Sequence, residues 1–336
     1  IAMAMTPGEP RTDPANTTGY WVDAPGRGSL RQVELPVQPE DAVRLQALCT
    51  GVSVGTERLV GLGHVPAELT EAMACRGMQG TFDLPALYGY SFVGLVIDGP
   101  DRGRRAFVMR PHQRQAIASR SELRWLPDSL PAARATLFPN LETARNAVWD
   151  ADLKGHESIA VIGGGAVGLL VAFVLSLEHS GPITVVERDS TRRQLVSELP
   201  WIAHVVAPQD VALGALDVAF HTSGTTEGLQ LAIDISGFEG SVYELSWYGG
   251  CAVELQLGYS FHYQRKRIIA SQVGTVANSR RDQGFSGRAK AVLDLLGSSQ
   301  LDAMLSEPVA FADLPGTFAA IYAGQPVPLS PVVIYE

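Results

Sequence analysis

Residues 159–170 read IAVIGGGAVGLL, and few folds accommodate such a run. Four apolar residues form a buried-type strand, three glycines follow at G-x-G-x-x-G spacing, and an apolar helix begins at once. Gly163 permits the tight turn, Gly165 lets the backbone approach a pyrophosphate, and Gly168 allows close packing of helix on strand. The first helical residues, Ala166 and Val167, present backbone N–H groups and the positive end of the helix dipole to an anion. Glu187 ends the next strand 19 residues after Gly168, where a carboxylate accepts hydrogen bonds from adenosine ribose hydroxyls. That carboxylate repels a 2′-phosphate, whereas Arg188, Arg192 and Arg193 attract one. NAD(H) is therefore favoured as the cofactor, with NADP(H) left open.

Strand and helix patterns alternate from residue 158 to about 271: SIAVIG, AVGLLVAFVLSLEHS, ITVVE, STRRQLVSEL, HVVA, LDVAFHTSG, TEGLQLAIDIS, GSVYELSWYG and RKRIIASQVG. The fold class expected is α/β, with a doubly wound parallel sheet over 137–282 as a Rossmann dinucleotide-binding domain. HTSG ends the fourth strand, so Ser223 is a candidate to line the cofactor cleft, while His221 reads equally as a strand-end residue. Before residue 128, short runs such as GYWVDA, RQVELPV, AVRLQALCTGVSV and RRAFVMRP, broken by Gly and Pro, suggest a small β-rich domain. PDSLPAARATLFPNLETARNAVWDAD then reads as helices leading into the next domain, and the tail offers two helices and a last strand, PVVIYE. We expect 283–336 to complete the first domain, 1–136. The opening IAMAM carries no weight in this reading.

The balance of 26 Lys and Arg against 35 Asp and Glu gives a formal net charge of -9, with no basic run long enough to track a polyanion. A nucleic-acid partner is not expected. The apolar run VGLLVAFVLSL falls short of the roughly 20 residues a membrane span requires, and no charged leader is evident, so a soluble cytoplasmic protein acting on a small molecule is expected. Cys49, Cys75 and Cys251 are far apart and make neither a disulfide framework nor a thiolate zinc site.

An N-terminal β domain with an SxGTE loop (Ser53–Glu57), a GYSxxG strand from Gly89, PDSLP from Pro127, and a mid-chain Rossmann unit together resemble the medium-chain dehydrogenases/reductases. Within them the match is to the subgroup of 2-desacetyl-2-hydroxyethyl bacteriochlorophyllide a dehydrogenase-like proteins. The resemblance implies a GroES-like catalytic domain beside the Rossmann domain, an active site between them, hydride transfer with a nicotinamide cofactor, and frequent homodimers. It also places Thr143, Ser246, Trp247 and Gln272 near the nicotinamide. The chain departs from the zinc enzymes of that family. The metal-binding cysteine position falls on Ser53 or Val54, the histidine position on Tyr90, its acidic neighbour on Ser91, and the third ligand near Pro139 or Asn140. A catalytic zinc needs about three N, S or O protein ligands, so a zinc-free enzyme is expected. A hydrogen-bond donor must then meet the charge that hydride transfer creates on oxygen. Tyr90 leads the candidates; Thr56, Ser53 and His112 follow. Each also has a structural reading, as a space-filling ring, turn-stabilising hydroxyls and a satisfied histidine. Carbonyl reduction is favoured; enone reduction and a non-catalytic nucleotide-binding protein are the alternatives.

Overall fold

The computed structural model describes residues 16–336; the IAMAM segment lies outside them. Six parallel strands form the central sheet of the second half, in the spatial order His204–Val206, Ile183–Val186, Ile159–Ile162, Leu216–His221, Ser236–Glu244 and Arg267–Ala270. The first strand in sequence thus lies third in space, beside the fourth. The direction of winding reverses between them, and the crevice at the carboxyl ends of such strands is where α/β sheets bind ligands. The fold class expected from the sequence is the one observed.

The helix Ala166–Glu178 is apolar all round because it is covered all round, with Gly168 through Leu175 buried. It packs on its own sheet and on the helix Phe138–Ala151. Each fully buried Leu, Val or Phe there contributes about 1.5–3 kcal/mol. Pro139 sits in the first turn of Phe138–Ala151, where its missing N–H costs nothing, and Asp152 in a left-handed conformation ends that helix. Pro131 precedes the short helix Ala132–Ala135 as its cap residue.

The first half is β-rich. The strand Ala42–Gly51 is its hub, pairing antiparallel with Phe92–Val96, Gln115–Ser119 and Val332–Ile334, so the end of the chain is stitched into the N-terminal half beside Thr50 and Gly51. The helix Leu314–Tyr322 returns there as well, with Phe318 stacked on Tyr20 at 4.4 Å. The helix Gly284–Leu296 packs on Phe138–Ala151 instead, because Ala289, Val292 and Leu296 share the core of the second half. Among the described residues no helix is long and apolar enough to cross a membrane.

One local expectation is corrected. The run AVRLQALCTGVSV is not strand to its end: the strand stops at Gly51, and a helix, Val54–Gly61, starts two residues after Val52. Ser53 is its cap residue, and the junction carries the chemistry described next.

Candidate active site

The glycine loop has the geometry a dinucleotide requires. Gly163 has φ +113°, a region other residues avoid. A side chain on Gly168 would place its Cβ 2.1 Å from the Gly163 carbonyl oxygen, so strand and helix close together only over a glycine. A Cβ on Gly165 would meet no atom within 4 Å. Gly165 therefore faces open space at the N-terminus of Ala166–Glu178, where Ala166 and Val167 follow, and the bare backbone there suits a pyrophosphate. Glu187 curls over the loop: Oε2 accepts from the Gly164 N–H at 2.8 Å and Oε1 from the Asp189 N–H at 2.9 Å. A carboxylate accepts about four hydrogen bonds, so two lone pairs stay free for hydroxyls. Arg188 is exposed beside it, and Arg193 is turned inward to donate to the carbonyls of Glu187 and Arg188. The residues present fit a nicotinamide dinucleotide.

Beyond that loop the sheet edge carries a network the sequence did not reveal. His221 and Glu244 lie opposite one another in the parallel register. The fully buried His221 ring approaches Glu244 Oε2 through Nδ1 at 2.8 Å and Ser223 Oγ through Nε2 at 2.7 Å. Glu244 also accepts from the Ser246 N–H at 2.6 Å and from the Tyr248 hydroxyl at 3.0 Å, and Ser246 Oγ accepts from the Gly224 N–H at 3.0 Å. Burial beside the Glu244 charge pushes the Tyr248 phenol well above its ordinary range, so it stays a donor. A Cβ on Gly228 would lie 2.1 Å from Ser223 Oγ. That glycine keeps room for the Ser223–His221 contact. The network ties the ends of the fourth and fifth strands into one floor, on which Ser223 and Ser246 are held.

The remaining cofactor candidates make contacts within the chain. Thr143 gives its hydroxyl hydrogen to the Pro139 carbonyl at 3.1 Å, a bond within its own helix, and Gln272 folds its side-chain oxygen onto the Gly274 N–H at 2.5 Å. Trp247 packs against Phe82, ring to ring at 6.4 Å, in a cluster with Leu69, Met73, Tyr88 and Tyr90. The Gly61–Leu84 segment therefore reaches from Tyr90 to Trp247, and the Gly250 N–H anchors it by donating to the His64 carbonyl at 2.8 Å.

The positions that the resemblance assigns to metal ligands carry hydroxyls and an amide in this chain. Gly51, Ser53, Tyr90, Ser91, Thr136, Pro139 and Asn140 line one small cleft. Ser53 occupies the cap position of Val54–Gly61, yet its side chain makes no capping bond; it points to Asn140 Oδ1 at 3.4 Å. The Tyr90 phenol lies beside the Ser53 and Thr56 hydroxyls; burial outweighs their help and pushes its pKa up to about 12. Ser91 donates to the Thr136 carbonyl at 2.6 Å and is spent structurally. Among the described residues no group of three or more His, Cys, Asp or Glu could hold a metal ion. The side chains nearest this cleft are alcohols, a phenol and an amide, a donor set poorly matched to Zn²⁺.

For His112 the geometry matches the satisfied-histidine reading. The sequence offered it as a proton shuttle at the cleft, but its ring is 1% exposed and both nitrogens are engaged, Nε2 with Glu57 Oε2 at 2.8 Å and Nδ1 with Thr50 Oγ1 at 2.7 Å. Glu57, which sequence reasoning passed over, accepts from the Ser53 N–H through Oε1 at 2.7 Å. It lies four residues beyond the cap, one helical turn, so its side chain reaches back to the first free donor. Thr50 in turn meets the Tyr335 hydroxyl at 3.0 Å. His112 thus acts from behind, through Glu57, on the position of Ser53.

No family model matches the chain. It is 30% identical over 191 residues to (R,R)-butanediol dehydrogenase of Bacillus subtilis, a match covering 54% of this chain and 51% of that protein. The chain spans about half the length of the curated relatives it matches. Solved structures agree over almost all of it. An acetophenone reductase from Geotrichum candidum in complex with NAD superposes with TM-score 0.75 at 18% identity, covering 96% of this chain and 98% of that one. A structure described as a zinc-binding dehydrogenase from Sinorhizobium meliloti, bound to NADP, does so with TM-score 0.73 at 17% identity, covering 95% and 99%. With a GroES-like β-rich part and a Rossmann sheet joined in this way, the chain has the fold of the medium-chain dehydrogenase/reductase superfamily.

Proposed function

We propose that the protein is a zinc-independent, nicotinamide-dependent oxidoreductase that reduces the carbonyl of a small or mid-sized metabolite, with Tyr90 as proton donor to the substrate oxygen. The observation that carries this reading is the Tyr90 phenol held beside Ser53 and Thr56 in a cleft that Asn140 and Ser91 also line. A bound nicotinamide dinucleotide supplies or takes up hydride. The chain supplies the rest. Tyr90 donates its hydrogen to the oxygen on which charge develops, and Ser53 and Thr56 pass a replacement proton to the phenolate. The aromatic, aliphatic and thioether side chains of Phe82, Trp247, Leu69 and Met73 keep water from one side and favour a substrate with an apolar flank.

Direction follows from the phenol. Reduction uses the protonated form, which persists below a pKa of about 12, whereas alcohol oxidation needs the phenolate. Over pH 6 to 9 the reductive rate is therefore expected to stay flat as far as Tyr90 is concerned, while the oxidative rate climbs about tenfold per pH unit. Initial rates in both directions across that range check it. A level oxidative profile would remove Tyr90 from the proton path.

The deciding experiment is NADH and NADPH oxidation against a panel of ketones and enones, using protein dialysed against a chelator. Turnover is expected to survive. Loss of turnover, restored by one equivalent of Zn²⁺, would refute zinc independence; tight cofactor binding with no turnover on any substrate would favour a nucleotide-binding protein without catalysis.

Cofactor choice is tested at Glu187. Glu187→Gln keeps an oxygen for the Gly164 N–H and removes the charge that opposes a 2′-phosphate. The ratio of kcat/KM for NADPH over NADH is expected to rise by about tenfold, or about 1.4 kcal/mol. An unchanged ratio would mean that the Arg188 side already sets the preference.

A further inference from the structure

The glycine loop abuts the network at the ends of the fourth and fifth strands. A Cβ on Gly163 would lie 2.9 Å from Thr222 Oγ1 and 3.0 Å from the Ser223 backbone nitrogen. Glu187 offers its free lone pairs to ribose hydroxyls on the side of the strand Ile183–Val186, so the other half of a dinucleotide runs the opposite way, over the carboxyl ends of Leu216–His221 and Ser236–Glu244. The second of those strands ends on an acid, Glu244, whose side chain is 12% exposed.

The hydrogen bonds around Glu244 leave it with a net negative charge. Thr225 Oγ1 accepts from the Gly228 N–H at 3.1 Å and gives its own hydrogen to Ser223 Oγ at 3.0 Å, and Ser223 donates in turn to His221 Nε2 at 2.7 Å. A ring nitrogen that accepts carries no proton, so Nδ1 holds the single ring hydrogen and gives it to Glu244 at 2.8 Å. The other donors to the carboxylate, the Ser246 N–H and the Tyr248 hydroxyl, are neutral as well. Among the described residues no Lys or Arg forms an ion pair with it. One unit of negative charge therefore stands at the crevice, largely withdrawn from water, where salt screens it little.

The two states of a nicotinamide differ by one charge: the oxidised ring is cationic and the reduced ring neutral. We infer, on the nicotinamide reading proposed above, that Glu244 is a specificity-determining residue whose carboxylate strengthens binding of the oxidised dinucleotide relative to the reduced one. Carbonyl reduction moves one hydride to carbon and one proton, from Tyr90, to oxygen, and it leaves the ring positive. A carboxylate placed to meet that charge weights the equilibrium toward the alcohol. A tenfold preference for the oxidised form lowers the potential of the bound two-electron couple by about 30 mV.

Isothermal titration of the full chain with NAD⁺, NADH and ADP-ribose measures the effect apart from turnover. Glu244→Gln removes the charge and keeps an oxygen for the Ser246 N–H and the Tyr248 hydroxyl. The ratio of the Kd for NAD⁺ to that for NADH is expected to rise about tenfold, while the Kd for ADP-ribose, which has no nicotinamide, changes less than about twofold. Tyr248→Phe removes one hydrogen bond and keeps the charge, so it should move both dinucleotides together and leave their ratio within about twofold. Thermal melts report folding; if Glu244→Gln does not fold, Glu244→Gln combined with His221→Leu is expected to give the same rise. An unchanged ratio in a folded variant without the charge would overturn the inference and leave the cofactor reading standing, as would an equal rise in Tyr248→Phe. NADH bound more than about tenfold tighter than NAD⁺ by the unaltered protein would overturn it without any variant. No binding of NAD⁺, NADH or their 2′-phosphates would overturn the cofactor reading along with it.

Discussion

Tyr90→Phe is expected to lower kcat for carbonyl reduction by about 10²–10⁴-fold while leaving KM for substrate and cofactor within a factor of a few. The substitution deletes one oxygen and keeps the ring. The edge-on contact with Tyr88 at 6.2 Å and the packing near Trp247 survive, so the fold and the apolar flank of the pocket are unchanged. What disappears is the only phenol in the cleft that also holds Ser53, Asn140 and the exit of the Ala42–Gly51 strand. With the donor gone, the developing oxyanion meets two aliphatic hydroxyls whose place is behind the phenol. An equal loss in kcat and kcat/KM is the mark of an interaction made only in the transition state. A variant that keeps more than about a third of wild-type kcat would reduce Tyr90 to a ring filling space, and Ser53→Ala should then carry the larger loss.

The parts of this site differ in how far the sequence discloses them, and the difference has a physical cause. The glycine loop is legible because its constraints are local: φ at Gly163 and close packing at Gly168 are fixed within six residues, and the strand and helix that frame them show their periods in the same window. Tyr90 and Ser53 are legible only through the spacing of a family motif, and their meeting is made by the pairing of Ala42–Gly51 with Phe92–Val96, a contact between segments 42 or more residues apart. Glu57 and Glu244 were not read from the sequence. Each is an acid among many until its partner is known, and His112 and His221 arrive from another strand in a register that periodicity does not state. His112 shows the converse: a histidine after a strand that ends near the cleft looks available, yet its ring is buried against Glu57 of the Val54–Gly61 helix. Glu57 follows the cap residue Ser53 by four residues, one more than the spacing of a capping box, so that motif does not announce its bond with the Ser53 N–H.

That buried acid leads to the largest expected effect on stability. Glu57 is 3% exposed and His112 1%, and a self-consistent set of bonds closes around them: Tyr335 donates to Thr50, Thr50 to His112 Nδ1, His112 Nε2–H to Glu57, and the Ser53 N–H to the other carboxylate oxygen. His112→Leu fills similar space but leaves the Glu57 charge facing an apolar side chain. Removing one partner of a buried pair costs about 3–5 kcal/mol, because the other charge remains desolvated. For a chain of this size the melting temperature is expected to fall by roughly 4–7 °C, read by calorimetry or by circular dichroism. The double variant Glu57→Gln with His112→Leu should recover most of that loss, since the charge is gone and an amide oxygen still accepts from the Ser53 N–H. Recovery of stability separates from recovery of rate. Glu57→Gln holds Ser53 with a weaker acceptor, so kcat should remain below wild type even where the melt is restored. A His112→Leu protein that melts within about 2 °C of wild type would show that water reaches Glu57, and the pair would then have no hold on the position of Ser53.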